Sequence, residues 1–385
     1  MRILFVAPQP FYEDRGTPIV IYETLLAFTR LGFKVDVATY PLGSNVILPG
    51  INIIRTTNPF RYQNVRVGFS LQKVVLDICL SATVLKLLIR NKYDCIHGVE
   101  EGAAIAVLCK RLFGVPVLYD MHSSLPEQLR RVSWFKAGPG FWLSNLTERW
   151  LVKKADCIIA SQGLLPHIRS LDAEKAVFEW FLVGSASRPK KEEMAKSLGV
   201  DGHPTVVYTG TFAPYQDLDV LLEAAAMVRT ELPDIIFLLI GAIESELIHY
   251  LQMVKKLGLE NNVKLHLKCP RHEIPDFLAL ADVLVLARTS GDNVPLKIYD
   301  YLTSGKPIVA TNISAHTVIL NEAIAILAEP NAVALSRAII HALRSPDYAN
   351  KIARAAMNNI QTKQVKPLHE IIAEAYQIVD AVAPK

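Results

Sequence analysis

Two carboxylates with seven residues between them, Asp292 and Asp300, lie in the stretch Ala287 to Thr311, ARTSGDNVPLKIYDYLTSGKPIVAT, and Lys297 stands between them. This set is suited to holding a phosphate and a ribose. A carboxylate accepts hydrogen bonds from ribose hydroxyls, and a helix start holds phosphate. The preceding run ADVLVLA reads as a buried parallel strand, and a helix is predicted from Pro295 to Leu302 or Ser304, where Gly305 stops it. Pro295 fits a first turn because its missing N–H would be an orphan there, and Asp292 and Asn293 are placed to cap the free amides. Lys297 and Asp300 are three apart and share a face. On these residues alone a blander reading stays open, in which Asp292 only caps and Asp300 is solvated.

The elements that must position these groups alternate regularly. Strands are predicted at 3–7, 34–39, 51–54, 95–97, 116–119, 157–160, 205–209, 235–240, 263–267, 282–286, 307–310 and 323–327. Helices are predicted at 18–31, 68–90, 103–113, 143–154, 164–170, 217–229, 244–257, 273–280 and 295–304, then at 331–344, 347–360 and 366–382. Such alternation makes βαβ units and a parallel sheet. It restarts after the small, polar and basic segment Val183 to Lys191, which reads as a linker, so two doubly wound α/β domains are expected. Their boundaries are set at 1–185 and 186–365, with 366–385 as a C-terminal helix packing back on the first domain.

Doubly wound sheets bind ligands at the carboxyl ends of their strands. The unusual residues cluster there: Gly16, the run His97 to Glu101, and Asp120, His122 and Ser123 in the first half. In the second half they are Gly210 and Thr211, Gly241, and Cys269 to Arg271. The Glu100–Glu101 pair reads either as an acceptor-hydroxyl base or as acidic residues stabilising a helix start.

Composition narrows the classes. With 385 residues, 51% of them hydrophobic, the chain exceeds one core. Residues 1–190 carry 23 Lys and Arg against 15 Asp and Glu, a surplus of eight, whereas 191–385 carry 18 against 22, a deficit of four. The first half therefore prefers an anionic neighbour, a phosphorylated substrate or a membrane surface, and no nucleic-acid motif is present. The five cysteines stand singly in apolar runs, which indicates neither disulfides nor zinc. No metal-ligand cluster is visible, so no cation is expected to be needed. MRILFVA reads as a first strand and not a leader, and Val74 to Leu88 contains Asp77 and Lys86, short of the ~20 apolar residues a span needs. A cytoplasmic protein is expected, peripheral on the inner membrane face if the surface reading holds. That reading rests on Leu129 to Trp150, with three Trp and two Phe among Arg130, Arg131, Lys136 and Arg149, and on residues 59–90.

Taken in order, the glycine loop after the first strand, LYDMH, YTG, and the carboxylates beside P-x-K-x-x-D-Y resemble the GT-B-fold retaining glycosyltransferases of family 4. The resemblance implies two Rossmann-like domains facing a central cleft. It implies a nucleotide-sugar donor, with UDP-sugars favoured, a lipid-linked or glycan acceptor, no separate cofactor, and retention of configuration without a metal. By position, Asp292 would face the donor sugar and Asp300 the ribose. Val294 and Leu296 amides, capped by Asn293, would approach the diphosphate with Lys297. Gly16 would match the glycine loop that lets the backbone approach phosphate and acceptor, and Gly210, Thr211 and Gly241 are counted among the nucleotide-sugar-binding residues. His122 would lie against the transferred sugar, and Arg271 would bracket the base. The family's Arg and Lys that neutralise the leaving diphosphate are missing: Thr211 or Phe212 stands for one and Gln216 for the other. Lys297, Arg288 and the helix amides are the expected substitutes. Alternatives are a GT-B epimerase or phosphorylase, or a silent binding relative; the first strand lacks the GxGxxG of a dinucleotide enzyme.

Overall fold

The structure, a computed structural model, describes residues 1–13, 16–65, 70–129, 138–161, 163–180, 191–291, 294–362 and 366–382. The chain divides into two compact units, Met1–Phe181 with Lys366–Lys385, and Leu182–Val365. Each is built on one parallel sheet.

The first unit runs β1 (Arg2–Ala7), α1 (Gly16–Arg30), β2 (Lys34–Thr39), β3 (Ile51–Arg55), α2 (Leu71–Arg90), β4 (Cys95–Val99), α3 (Gly102–Phe113), β5 (Val117–Met121), α4 (Leu125–Leu129), α5 (Pro139–Lys154), β6 (Cys157–Ser161), α6 (Leu165–Leu171) and β7 (Val177–Trp180). Its seven strands lie in the order β3-β2-β1-β4-β5-β6-β7. Strand β1 pairs in parallel with both β2 and β4, so the order reverses at β1, and a crevice opens at the carboxyl ends of β1 and β4. Strands β4 and β5 are buried along their full length, which is why they read as unbroken apolar runs.

The second unit runs α7 (Lys191–Leu198), β8 (Thr205–Thr209), α8 (Leu218–Glu231), β9 (Ile236–Ala242), α9 (Glu244–Lys256), β10 (Val263–Leu267), α10 (Ile274–Ala279), β11 (Val283–Leu286), α11 (Lys297–Thr303), β12 (Ile308–Thr311), α12 (Ser314–Thr317), β13 (Ile326–Ala328), α13 (Ala332–Arg344) and α14 (Pro346–Thr362). Its order is β10-β9-β8-β11-β12-β13, reversing between β8 and β11. The final helix α15 (Leu368–Val382) belongs to the first unit and packs on α1, β6 and β7.

Several expectations are corrected. Helix α2 begins at Leu71 and not at 68, because the Ser70 side chain accepts from Lys73 N–H and caps it. Strand β7 and helices α7 and α12 were not foreseen. Each is short, and VFEW mixes polar with apolar residues as an edge strand does. The predicted linker 183–191 falls almost wholly outside the described residues, apart from Lys191, which opens α7. Most consequential, α11 starts at Lys297 and not at Pro295. Ile298 N–H donates to Pro295 O (3.0 Å) and Tyr299 N–H to Leu296 O (3.1 Å), a tight turn that leads into only seven helical residues.

Candidate functional site

In the second unit the candidate residues gather where β8 and β11 end. Tyr301 of α11 accepts the Thr209 N–H at 2.9 Å, tying the helix to the end of β8. Lys297 on the same helix then reaches over the Tyr208 ring, with Nζ 3.8 Å from its centre and 3.2 Å from Gln216 Oε1. Arg288, just past β11, donates from Nε to the same oxygen at 3.2 Å and lies 5.0 Å from the Tyr215 ring centre. One buried amide oxygen thus gathers two cations. Gln216 sits where the resemblance puts a Lys, so the positive charge expected at that position arrives from α11 and β11 instead.

The backbone has been cleared for this arrangement. A Cβ on Gly210 would lie 2.5 Å from Lys297 Nζ, and one on Gly241 would lie 2.2 Å from Gly210 O; both have φ beyond +120°. Tyr208 OH donates to Thr211 O at 2.9 Å, whereas the buried Thr211 Oγ1 has no hydrogen-bond partner among the described residues. Asp217 accepts from Thr289 N (2.6 Å) and Oγ1 (2.8 Å) and so fixes the residue after Arg288.

The Lys297 side chain is held well below the usual lysine range, first by burial and then by the Arg288 charge. Among the described residues no carboxylate pairs with it. The seven-residue α11 offers a weaker dipole than the helix predicted from Pro295, and two of its first-turn amides are already bonded, so the two side-chain cations carry more of that task.

Arg271, in the short turn after β10, meets Asp300 in a two-pronged contact, Nη2 to Oδ1 at 3.1 Å and Nη1 to Oδ2 at 3.3 Å. The base-bracketing and ribose candidates therefore touch. Val294 and Leu296 are half-buried on the approach to α11. Asp292 and Asn293 lie outside the described residues; the loop is anchored beside them at Gly291 O, which accepts from Ala315 N (3.1 Å) and Ser314 Oγ (3.0 Å).

His316 was not singled out from the sequence. It is fully buried, with Nδ1 3.0 Å from Thr311 O. A carbonyl only accepts, so Nδ1 carries the proton and Nε2, which has no hydrogen-bond partner among the described residues, carries none. Burial, reinforced by Arg288 and Lys297 against the Thr311 hydrogen bond, pushes its pKa down to about 4. The signal available was its place in α12, just past the carboxyl end of β12.

In the first unit Gly16 heads α1 with φ +33° and open space at its Cβ position. His122, past β5, has Nε2 3.0 Å from Asp120 Oδ1, a close charge contact too bent for a well-formed hydrogen bond. Burial alone would lower His122, but Asp120 and Glu100 raise it; burial would raise Asp120, but His122 and His97 hold it well below the usual carboxylate range. Glu100 sits at the end of β4 with φ +49° and accepts from Ser123 Oγ at 3.1 Å. Burial pushes its pKa up to about 8. Glu101 is instead paired with Lys73.

Two family models match, one on each half: glycosyl transferases group 1 over residues 189–359 and Glycosyltransferase Family 4 over residues 15–162. The chain thus carries a glycosyltransferase family model on each half, the two together spanning most of its length. Among its relatives is the alpha-D-kanosaminyltransferase of Streptomyces kanamyceticus, 21% identical over 57% of this chain and 59% of that one. The chain spans 36% to 59% of the length of the curated relatives it matches. Solved structures with this fold include the Anabaena protein HepE in complex with UDP, with a TM-score of 0.74, 17% identity, and coverage of 98% of this chain and 100% of that one. Sucrose-phosphate synthase from Thermosynechococcus elongatus gives 0.75 and 17%, covering 99% of both chains. At such identity the likeness shows the fold: this glycosyltransferase has the GT-B architecture of two Rossmann-like domains.

The glycosyltransferase thus carries two distinct groupings. Lys297, Arg288, Gln216, Gly210, Gly241 and Thr211 converge in the second unit, with Arg271 and Asp300 as a touching pair. His122, Glu100 and Gly16 lie at the strand ends of the first.

Proposed function

We propose that the glycosyltransferase moves a sugar from a UDP-sugar to a lipid-linked or glycan acceptor, with retention of configuration and without a bound metal ion. The observation that carries this is the pair Lys297 and Arg288 on Gln216, a half-buried cationic site at the strand-order reversal of the second unit. A diphosphate supplies Lys297 with an anionic partner, and preorganised charge at the leaving group is the largest usual source of rate. HepE, of the same fold, has also been solved with UDP-glucose. Asp300 would take the ribose once Arg271 yields, Asp292 and His122 the transferred sugar. The anomeric carbon–oxygen bond breaks with its electrons passing to the diphosphate. The acceptor oxygen bonds to the same face, and its proton passes to the leaving phosphate.

Support for a lipid-linked acceptor comes from the first unit. Helix α5 exposes Trp142, Leu143 and Leu146 with Arg149, Lys153 and Lys154, and α3, packed against it, exposes Leu108, Leu112 and Phe113 with Arg111. The apolar residues with a basic rim suit an anionic headgroup layer. Residues 130–137, part of the stretch that suggested this, lie outside the described residues. Helix α2 shows both faces, burying Leu76, Leu80, Val84 and Leu88 while exposing Leu71 and Ile78. No helix of the described residues is long and apolar enough to cross a membrane.

Thermal stabilisation across UDP-, GDP- and dTDP-sugars tests the donor, because a ligand of the folded state raises its stability by mass action. UDP-sugars should give the largest shift; no shift with any of them would end the reading. Product anomeric configuration by NMR tests retention. Flotation with anionic liposomes, lost on Trp142→Glu with Leu143→Glu, tests the surface.

A further inference from the structure

The first unit contains a chain of buried polar side chains that the proposed reaction does not by itself require. Tyr376 of α15 lies with its OH 2.9 Å from His97 Nδ1. His97 Nε2 lies 3.3 Å from Asp120 Oδ2, and the other oxygen of Asp120 lies 3.0 Å from His122 Nε2. Tyr376, His97 and Asp120 are each no more than 2% exposed. Among the described residues no three His, Cys, Asp or Glu side chains converge as a metal site, so these groups are arranged for one another.

The donor and acceptor roles can be assigned end to end. An ionised carboxylate only accepts, so the facing nitrogens of both imidazoles, Nε2 in each, carry the protons. His97 Nδ1 then offers its lone pair to the Tyr376 hydroxyl. With two neutral imidazoles and one anion no donor faces a donor along the chain; the His97 link is a hydrogen bond and the His122 link a bent 3.0 Å charge contact, so the carboxylate fixes His122 through its charge. At the far end His122 is left with Nδ1 as the ring nitrogen that no described residue engages. The ring is fixed from other sides too: Ser161 Oγ donates to its backbone oxygen at 2.8 Å, and the Trp180 ring of β7 stands edge-on at 5.6 Å.

We infer that Tyr376, His97 and Asp120 are positioning residues that fix the His122 proton on Nε2 and present Nδ1 to the ligand, so that the C-terminal helix α15 sets the state of a histidine at the end of β5. The inference rests on the proposed function only in taking His122 to lie against the transferred sugar. Nδ1 of the neutral ring accepts a hydroxyl hydrogen bond; on the protonated ring it donates one. The groups facing this chain are Glu100 from the end of β4, Cys95 beside Tyr376, and the rings of Phe5 and Phe28 against His97. Of these only Glu100 is an acid close enough to His122 to act on its charge. The role parallels that of the aspartate in a hydrolase triad, which holds a histidine in one tautomer without itself taking up a proton.

Histidine-selective 15N labelling with two-bond proton–nitrogen correlation tests this on the full chain, with no substrate needed. In the wild-type protein at high pH, His122 should show the proton on Nε2. Asp120→Asn should lower the His122 titration midpoint by about one unit or more, a tenfold loss of proton affinity. Tyr376→Phe, which removes one oxygen and leaves the ring, should shift His97 strongly and His122 by a smaller amount in the same direction. A wild-type His122 protonated on Nδ1, or a His122 spectrum unchanged in both variants, overturns the inference. For hydrolysis of UDP-glucose, both variants should lower kcat while the donor KM and the stabilisation by UDP stay unchanged; loss of UDP binding in Tyr376→Phe would instead show a merely structural role. If UDP and its sugars fail to bind the wild-type protein, the proposed function falls, whereas the spectra still decide the relay.

Discussion

The two units solve opposite electrostatic problems. In the first, a carboxylate with almost no exposure, Asp120, is flanked by His97 and His122, so charge and partner are both present in the unliganded chain. In the second, Lys297 and Arg288 share one neutral oxygen, and Lys297 has no anionic partner among the described residues. A satisfied cluster stabilises the fold and holds geometry. An unsatisfied one lowers stability and stores affinity for whatever neutralises it. The comparison therefore predicts that substitutions in the two clusters differ in sign as well as in size.

The largest effects should break it most clearly. Lys297→Ala removes a cation poised for the leaving diphosphate and should lower donor turnover by about 10²–10³-fold, the scale of one lost electrostatic contact to a developing charge. The same substitution should leave the unliganded protein as stable as before or more so, because the ammonium is disfavoured where it sits. Asp120→Ala should do the reverse, costing about 3–5 kcal/mol of stability through the loss of one partner of a buried charge contact. Paired denaturant titrations with and without UDP measure both. A Lys297→Ala protein that unfolds more easily than wild type, or that turns over donor normally, would collapse the contrast.

Next in size is the backbone that makes room for the cations. Gly241→Ala drives a methyl into Gly210 O at a φ that side-chain residues avoid, and about 1–3 kcal/mol of strain is expected from the conformation alone. Gly210→Ala carries the same backbone strain at φ +131°, but its methyl clashes with the flexible end of Lys297 and not with backbone, so it should be somewhat milder in stability yet comparably damaging to UDP affinity, as the ammonium is pushed off Gln216. Equal losses of UDP affinity and stability in Gly210→Ala would show that the glycine serves packing and not the cation.

The pH dependence sharpens the same point. Because Lys297 is depressed in the folded state, the unfolded chain binds more protons between the folded value and the ordinary lysine range, so this group makes stability rise with pH across that window. A bound diphosphate raises the Lys297 pKa, so binding takes up a proton when the free lysine is neutral, and UDP affinity should fall as pH rises toward the liganded value. Calorimetry in buffers of different ionisation enthalpy reads that uptake, and Lys297→Met should abolish it. His122 runs the other way: raised when folded, it contributes stability at low pH that is lost as pH rises through its folded value.

Legibility from the sequence follows the same division. The parallel strands were readable because LFVA and VLVL are buried on both faces and tolerate no polar interruption. The family resemblance then pointed to Lys297, Gln216 and Arg288 separately. That they meet was not readable, since Gln216 and Lys297 are 81 residues apart and nothing local marks an amide that gathers cations. The start of α11 was misplaced because Pro295 carries a helix-start signal, whereas the tight turn that uses its carbonyl leaves no sequence mark. Asp120 was noticed only as the companion of His122. Its bonds to His97 and, through it, to a tyrosine 256 residues further on are products of topology.

The smallest expected effect concerns Arg271 and Asp300, which resemble the satisfied cluster locally but belong to the unsatisfied unit. Their contact is two-pronged, and the Arg271 side chain keeps about a quarter of its exposure, so the pair should add less than about 1 kcal/mol to stability. If Asp300 receives the ribose, each Asp300 oxygen that takes a hydroxyl must share or release a guanidinium nitrogen, and Arg271 competes with the ligand. Arg271→Gln should then leave stability within 1 kcal/mol of wild type, as surface pairs do, and sharpen the preference for UDP over 2′-deoxy-UDP by about threefold to tenfold. If Arg271 instead orients Asp300 for the ribose, the same substitution should blunt that preference, and Asp300→Asn combined with it should be no worse than either alone. Competitive binding of the two nucleotides to the three variants separates a guard from a guide, and so decides whether the ion pair in the second unit belongs with its cations or apart from them.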